Sequence, residues 1–518
     1  MKSNIKNNRI ILVILLLFSV SCSDFFELER PPQNPWNTVE EFERVPIGLC
    51  YSLFSGDQWN IAWVNAHITK VCMGDDVNWA GDATYGYWRK TTEFNTYTDK
   101  NSYMLYRPIA AANNALDFLA VSDGNPFPSE TDENSVENLN RIIGEIHFVR
   151  AYSYYLLITT FGHAFVPGGD NSTKDIPMPT SYPKSIDEAK NPKIGTTQEI
   201  YDLIVEDLIK AKELLPEKYK SGVHHPSYQV RANKFAASAM LARAYMLRGE
   251  YDKAKTECDY IIDQNGGEYD LTENPIEAFN KSSLSRGREV IFYAPYYDVT
   301  LLTPNHLSVF NQTWNNAQCN WCESRMAETV IKRIGWMDDP LTDTSFNNAA
   351  HRDKRFQQLF AVRYPINMVQ SGQSTDNRSM INTITTVWTN KFYRGPANMN
   401  TNVPLIRLAE VILTRSIVRF RAGDLSGAAS DLNIVRRRAW DENVGGPFQP
   451  TNAGTVTEQI INDERLVEMF NEADRLDYLR SLKVDIPLGE RGPGAEPYTS
   501  KSFVWDIPVR ETIYNDGL

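Results

Sequence analysis

Cysteine is scarce in this chain and unevenly placed: six in 518 residues, with Cys50, Cys72 and Cys258 standing alone. A disulfide framework therefore does not organise the fold. Cys319 and Cys322 form a CxxC, but no second pair or nearby histidine completes a zinc set, so they read as a local disulfide or two free thiols. Positive charge is not in excess either. Lys and Arg total 53 against 65 Asp and Glu, a net charge of −12, and Arg436-Arg437-Arg438 is the one basic cluster, expected on a solvated helix face. That balance argues against a nucleic-acid partner. The chain has no phosphate loop, no HExxH and no EF-hand spacing. Asp75-Asp76 could begin a calcium site, but too few oxygens lie nearby to complete one. No metal or cofactor is expected.

The apolar run from Ile10 to Phe18 is too short for a membrane-spanning helix, which needs about 20 residues. It follows Lys2, Lys6 and Arg9 and ends in Ser19-Val20-Ser21-Cys22, the layout of a signal peptide closing on a lipobox. The expectation is cleavage before Cys22 and acylation of that cysteine, giving a protein anchored by lipid with no transmembrane helix. Residues 1–21 are then a signal peptide, 22–35 a tether, and 36–518 one domain. The acidic stretch Ser23-Asp24-Phe25-Phe26-Glu27-Leu28-Glu29 is similar to signals that send such lipoproteins to the outer face of the outer membrane.

With 42% hydrophobic residues the chain can bury a large core. Its most informative feature is a recurring helix pair. In 228–264, Ala242, Tyr245, Gly249, Tyr251, Ala254, Cys258 and Ile261 fall where a tetratricopeptide repeat places packing residues around a turn. A weaker copy runs from Leu405 to Arg438 with Gly423 at its turn. A half-repeat, Glu199 to Leu215, carries a 3.6-residue apolar stripe that Pro216 ends. Further helices are read at 38–54 and 102–120. The predicted fold is mostly α, with tetratricopeptide-like pairs forming a scaffold (36–265 and 401–482) and a loop-rich lobe with a few short strands (about 266–400).

Loops on a rigid scaffold are where binding residues concentrate. Two loop clusters combine flat aromatic rings, on which a pyranose can stack, with planar polar groups that bond paired hydroxyls. The first holds Asp76, Asn78, Trp79, Tyr87, Trp88 and Arg89; the second holds Tyr296, Tyr297, Trp314, Asn315 and Trp321. Trp336, Trp388, Trp440 and Trp505 lie in apolar or helical surroundings and are expected in the core. Glu464, Glu468 and Glu472 repeat every four residues, which puts them on one helix face to pair with Arg465, Arg475 and Arg480 rather than across a cleft as a glycosidase pair would be.

Several motifs resemble the SusD/RagB family over nearly the whole chain. Cys22-Ser23-Asp24-Phe25-Phe26 with Pro31-Pro32 is similar to its anchor segment. Gly144 to Tyr152, continuing to Phe161-Gly162 and Val166-Pro167, resembles its "E-x-x-F-x-R-A" helix. Asp353-Lys354-Arg355, Pro404-Leu405-Ile406-Arg407-Leu408-Ala409-Glu410, and Glu464-Arg465 through Arg480 follow in family order, with Ala473-Asp474 where a glycine would stand. The resemblance implies a mostly helical, non-catalytic lipoprotein that binds oligosaccharide and docks as a lid on a SusC-like TonB-dependent barrel transporter. Peptide ligands, known in some branches, are the alternative, and an outer-membrane glycoside hydrolase is the remote one.

Overall fold

A computed structural model describes residues 36–49, 51, 53, 66, 67, 70, 71, 73–79, 96–279, 281, 285–294, 324–340, 345–363, 386–391, 402–489, 492–505 and 507. Its longer helices are α1 (Thr96–Ala120), α2 (Glu133–Phe161), α3 (Thr197–Leu214), α4 (Lys234–Arg248), α5 (Tyr251–Asp263), α6 (Leu408–Arg421), α7 (Leu425–Ala439), α8 (Glu458–Met469) and α9 (Arg475–Leu482).

Local chemistry sets their limits. The Asp132 side chain caps α2 by accepting from the Ser135 N–H, and Thr196 with Glu199 forms a reciprocal capping box on α3. The Leu215 backbone is extended ahead of Pro216, which ends α3 as the sequence indicates. Asn233 caps α4, and Gly249 closes it at φ +74° while its N–H bonds back to the last turn. A Cβ at Gly249 would stand 2.6 Å from Pro167 Cγ, so both the conformation and the space call for glycine.

The predicted helix pairs form. Ala242, Ala254, Cys258 and Ile261 are buried between α4 and α5, and Tyr251 donates its hydroxyl to the Ser481 carbonyl at 2.8 Å. In the second pair, Gly423 turns at φ +84° between α6 and α7, and Ser416 Oγ donates to the Ala428 carbonyl at 2.8 Å. Small residues at both crossings let the backbones approach. Helix α3 packs on α2, joined by a fork from Arg150 Nε and Nη2 to Asp207 at 2.7 and 2.8 Å. One apolar cluster runs from Trp36 to Trp505 through all these elements.

Some expectations change. The 38–54 helix is a short helix Val39–Phe42 followed by a π-turn Val45–Leu49. Helix α1 begins at Thr96, earlier than 102. Two short antiparallel pairs accompany the helices, β2 (Lys174–Pro177) with β3 (Ile194–Thr196) and β9 (Ile486–Pro487) with β10 (Ala495–Glu496). Arg438, expected on a solvated face, is buried; of the triplet only Arg437 is exposed. Trp336, Trp388 and Trp505 are buried as expected, whereas Trp440 is half-buried. Among the described residues no helix is long and apolar enough to cross a membrane.

Candidate ligand-binding platform

The two aromatic clusters lie more than 200 residues apart in sequence, and the strands bring their ends together. Strand β1 (Val77–Trp79) pairs antiparallel with β5 (Ser324–Met326), with Trp79 opposite Ser324 and Asn78 opposite Arg325. Strand β7 (Thr386–Thr389) adds to β5, and β6 (Phe360–Arg363) adds to β7. A second pair, β4 (Val290–Ala294) with β8 (Val403–Arg407), sets Ala294 opposite Val403. Segment 295–323 therefore begins beside Val403 and ends beside Trp79, where segment 80–95 starts. Directly opposed antiparallel residues have Cα atoms about 4.5–5.5 Å apart. Tyr87, Trp88 and Arg89, and Tyr296, Tyr297, Trp314, Asn315 and Trp321, lie in those two segments and so outside the described residues, as does Cys22.

The alternation of strands puts Asn78, Arg325, Trp388 and Ala361 in one row on one face of the sheet. Asn78 is half-buried, with its amide Nδ2 3.4 Å from Glu328 Oε2; Arg325 Nη2 lies 3.5 Å from Glu328 Oε1. Trp388 is buried, and among the described residues its indole N–H has no acceptor. Asn78 is the one ligand candidate with a placed side chain on this face. Arg325 and Trp388 join it only through strand register, which short strands paired across hundreds of residues do not display in sequence.

Asp76 departs from the sequence reading. Its carboxyl is buried beside Asp75, with Oδ1 lacking any hydrogen-bond partner among the described residues, which takes it off the surface that meets solute. Burial first, and then the charge of Asp75, raises its pKa to about 7. Asp75 is also buried, but the Arg475 guanidinium, at 2.6 and 3.0 Å, outweighs that burial and holds its carboxyl below the usual range. This pair ties the root of β1 to the first turn of α9. Gly489, at φ +58°, packs on the same spot, where a Cβ would come 2.7 Å from the Asp75 carbonyl oxygen.

The other roots are held by a buried ion network. Glu468, at the end of α8, bonds Arg355, Arg407 and Arg438, with Arg355 at 3.1 Å and Arg407 at 2.8 Å. Glu289, just before β4, takes Arg407 at 2.6 Å and Arg438 at 2.8 Å. Glu472 takes Arg407 and Lys391, both at 2.7 Å, and Lys391 follows β7 directly. Burial alone would raise the Glu468 carboxyl; Arg438, Arg407 and Arg355 hold it well below the ordinary range. Glu464 takes Arg355 at 2.6 Å, so Glu464, Glu468 and Glu472 are all structural, but their partners differ from those expected. Helix α8 ends at Met469, so Glu472 lies beyond the shared face, and Arg465 pairs instead with Asp474, Arg475 with Asp75, while Arg480 donates to the Thr159 and Gly162 carbonyls.

A cavity of about 70 Å³ lies inside the scaffold between His67, Lys70, Arg243, Glu410 and Asp477. It is far below the ~300 Å³ at which pockets take drug-sized ligands, and it is lined by apolar side chains as well as these charged ones.

This arrangement defines a class of protein: a scaffold of tetratricopeptide-like helix pairs that carries a few short antiparallel strands braced by buried ion pairs. A family model described as "Starch-binding associating with outer membrane" matches residues 57–246, and the SusD family model matches 308–482. The chain belongs to the SusD family, which includes starch-binding proteins associated with the outer membrane. SusD-like protein P2 of Formosa agariphila is 27% identical, covering 99% of this chain and 98% of that protein. The starch-binding protein SusD of Bacteroides thetaiotaomicron is 25% identical over 74% of this chain and 70% of its own length. A crystal structure of a SusD superfamily protein from Bacteroides thetaiotaomicron superposes with a TM-score of 0.71 at 21% identity, covering 92% and 98% of the two chains.

Proposed function

We propose that this protein captures an oligosaccharide at the exterior of the outer membrane, held there by lipid on Cys22, and passes it unaltered to a SusC-like TonB-dependent barrel transporter. The observation that carries the reading is the convergence of strand ends. Segments 80–95 and 295–323 supply Tyr87, Trp88, Trp314 and Trp321 together with Asn315 and Arg89, and both are rooted at the Trp79–Ser324 pairing. Rings and planar polar groups on neighbouring stems suit the faces and hydroxyl edges of a sugar. The buried ion network supports this by fixing the stems, so less ordering cost falls on binding. The similarity to a relative named as starch-binding points to the same ligand class.

The purified full-length protein, applied to an array of oligosaccharides alongside a peptide library, tests this. Retention of at least one glycan family, with no peptide enriched, is expected. Peptide enrichment with no glycan bound overturns the ligand class, and turnover of a bound glycan overturns the non-catalytic role.

A further inference from the structure

A second concavity, of about 240 Å³, opens between the turn after α3 and the stretch that leads into β4. Its floor is fixed. Tyr269 is buried, with the Arg286 guanidinium 4.8 Å above its ring, and Arg286 is itself held by Glu268 and by the Val290 carbonyl at 3.2 Å. Its rim is different in kind. Tyr219 is half-buried, its ring tilted against His224 at 6.0 Å, and among the described residues its hydroxyl has no partner. Lys218 Nζ is likewise unpaired, and Gln229 uses only its amide N–H, on the Pro226 carbonyl at 3.2 Å, leaving its side-chain oxygen open. Ile291 and Tyr293 of β4 line the same hollow, and Tyr296 stands three positions further along the chain.

We infer that this hollow is a second sugar subsite, which takes one pyranose ring on the face of Tyr219 with its hydroxyls directed to Gln229 and Lys218. A fixed floor of Tyr269 and its ion-paired Arg286, beside a half-buried ring with open donors and acceptors, is a composition that stacks and orients a polyol. The volume falls just short of the ~300 Å³ of pockets for drug-sized ligands, so it admits a single ring and not a chain. Strand β4, whose Ile291 and Tyr293 line the hollow, ends where the segment carrying Tyr296 and Tyr297 begins. The inference rests on the glycan reading above.

The test uses titration calorimetry of the full chain against malto-, cello- and uronic-acid oligosaccharides of short and long chain length. A Trp88→Ala/Trp314→Ala variant, weakened at the platform, is expected to keep residual binding. Adding Tyr219→Ala and Gln229→Ala is expected to weaken that residue by about tenfold, equivalent to about 1.4 kcal/mol. Tyr219→Phe, which keeps the ring, is expected to retain most of it, and an unchanged melting curve shows that folding is intact. If the unaltered protein binds a glycan but the Tyr219 and Gln229 changes leave every affinity as it was, or no residual binding exists, this subsite is refuted alone. If the unaltered protein binds none of the sugars, the glycan reading falls and takes the subsite with it.

Discussion

Glu468 shows how single residues set the terms of this fold. Its carboxylate answers three arginines in a place sealed from water, and neutralising it leaves Arg407, Arg438 and Arg355 short of counter-charge. Breaking a buried ion pair on one side costs about 3–5 kcal/mol. Glu468→Gln is therefore expected to lower stability by that order in urea unfolding; a change under about 1 kcal/mol would show that water reaches the network. His67 makes a second prediction through pH. Burial pushes its pKa down to about 4, and its Nε2 lies 2.9 Å from the Asn471 carbonyl oxygen. The unfolded chain takes up this proton near pH 6.5, so the stability His67 contributes is present above that pH and is lost as pH falls through about 4. His67→Gln should flatten this acid limb when unfolding is compared at pH 7.5 and 4.5; an unchanged limb would mean that other groups govern it.

At the scale of elements, turns and caps decide where helices end, and two glycines separate conformation from space. Gly249 and Gly423 both hold left-handed φ, but a Cβ meets Pro167 only at Gly249, with nothing within 4 Å at Gly423. Each Gly→Ala should cost about 1–2 kcal/mol for the conformation, and Gly249→Ala should cost measurably more in thermal unfolding; equal losses would show that Pro167 yields freely. These pairs were legible because their signals are local: Gly249 at the turn, Ala242 and Ala254 at the crossing, Pro216 after α3. The ion network was legible only in part. Helical spacing put Glu464, Glu468 and Glu472 on one face as structural residues, yet Arg407 and Arg438 reach Glu468 and Glu289 together from elsewhere in the chain, so spacing named the wrong arginines. The same long-range pairing drew Arg438 out of what looked like a solvated triplet.

Over the whole molecule, the candidate site was legible as composition and not as geometry. The aromatic and amide clusters were visible in sequence, but a three-residue strand such as β1 gives no sign that it will pair with one some 250 positions away, opposite Ser324. Nor did the sequence show that Asp76 would be buried beneath the platform, or that Arg325 and Trp388 would share a face with Asn78. What the fold adds is a shared base for two distant segments, braced by Arg475 on Asp75 and by Glu289, Glu468 and Glu472 on their cations. The central claim is that rings from both segments grip one ligand. Affinity electrophoresis of Trp88→Ala, Trp314→Ala and the double variant in gels containing the best glycan from the array tests it most directly. The account predicts that each single change weakens retention by about tenfold or more, within the range of buried aromatic anchors, and that the double change adds little because a single grip is already broken. Full retention by both single variants would contradict it.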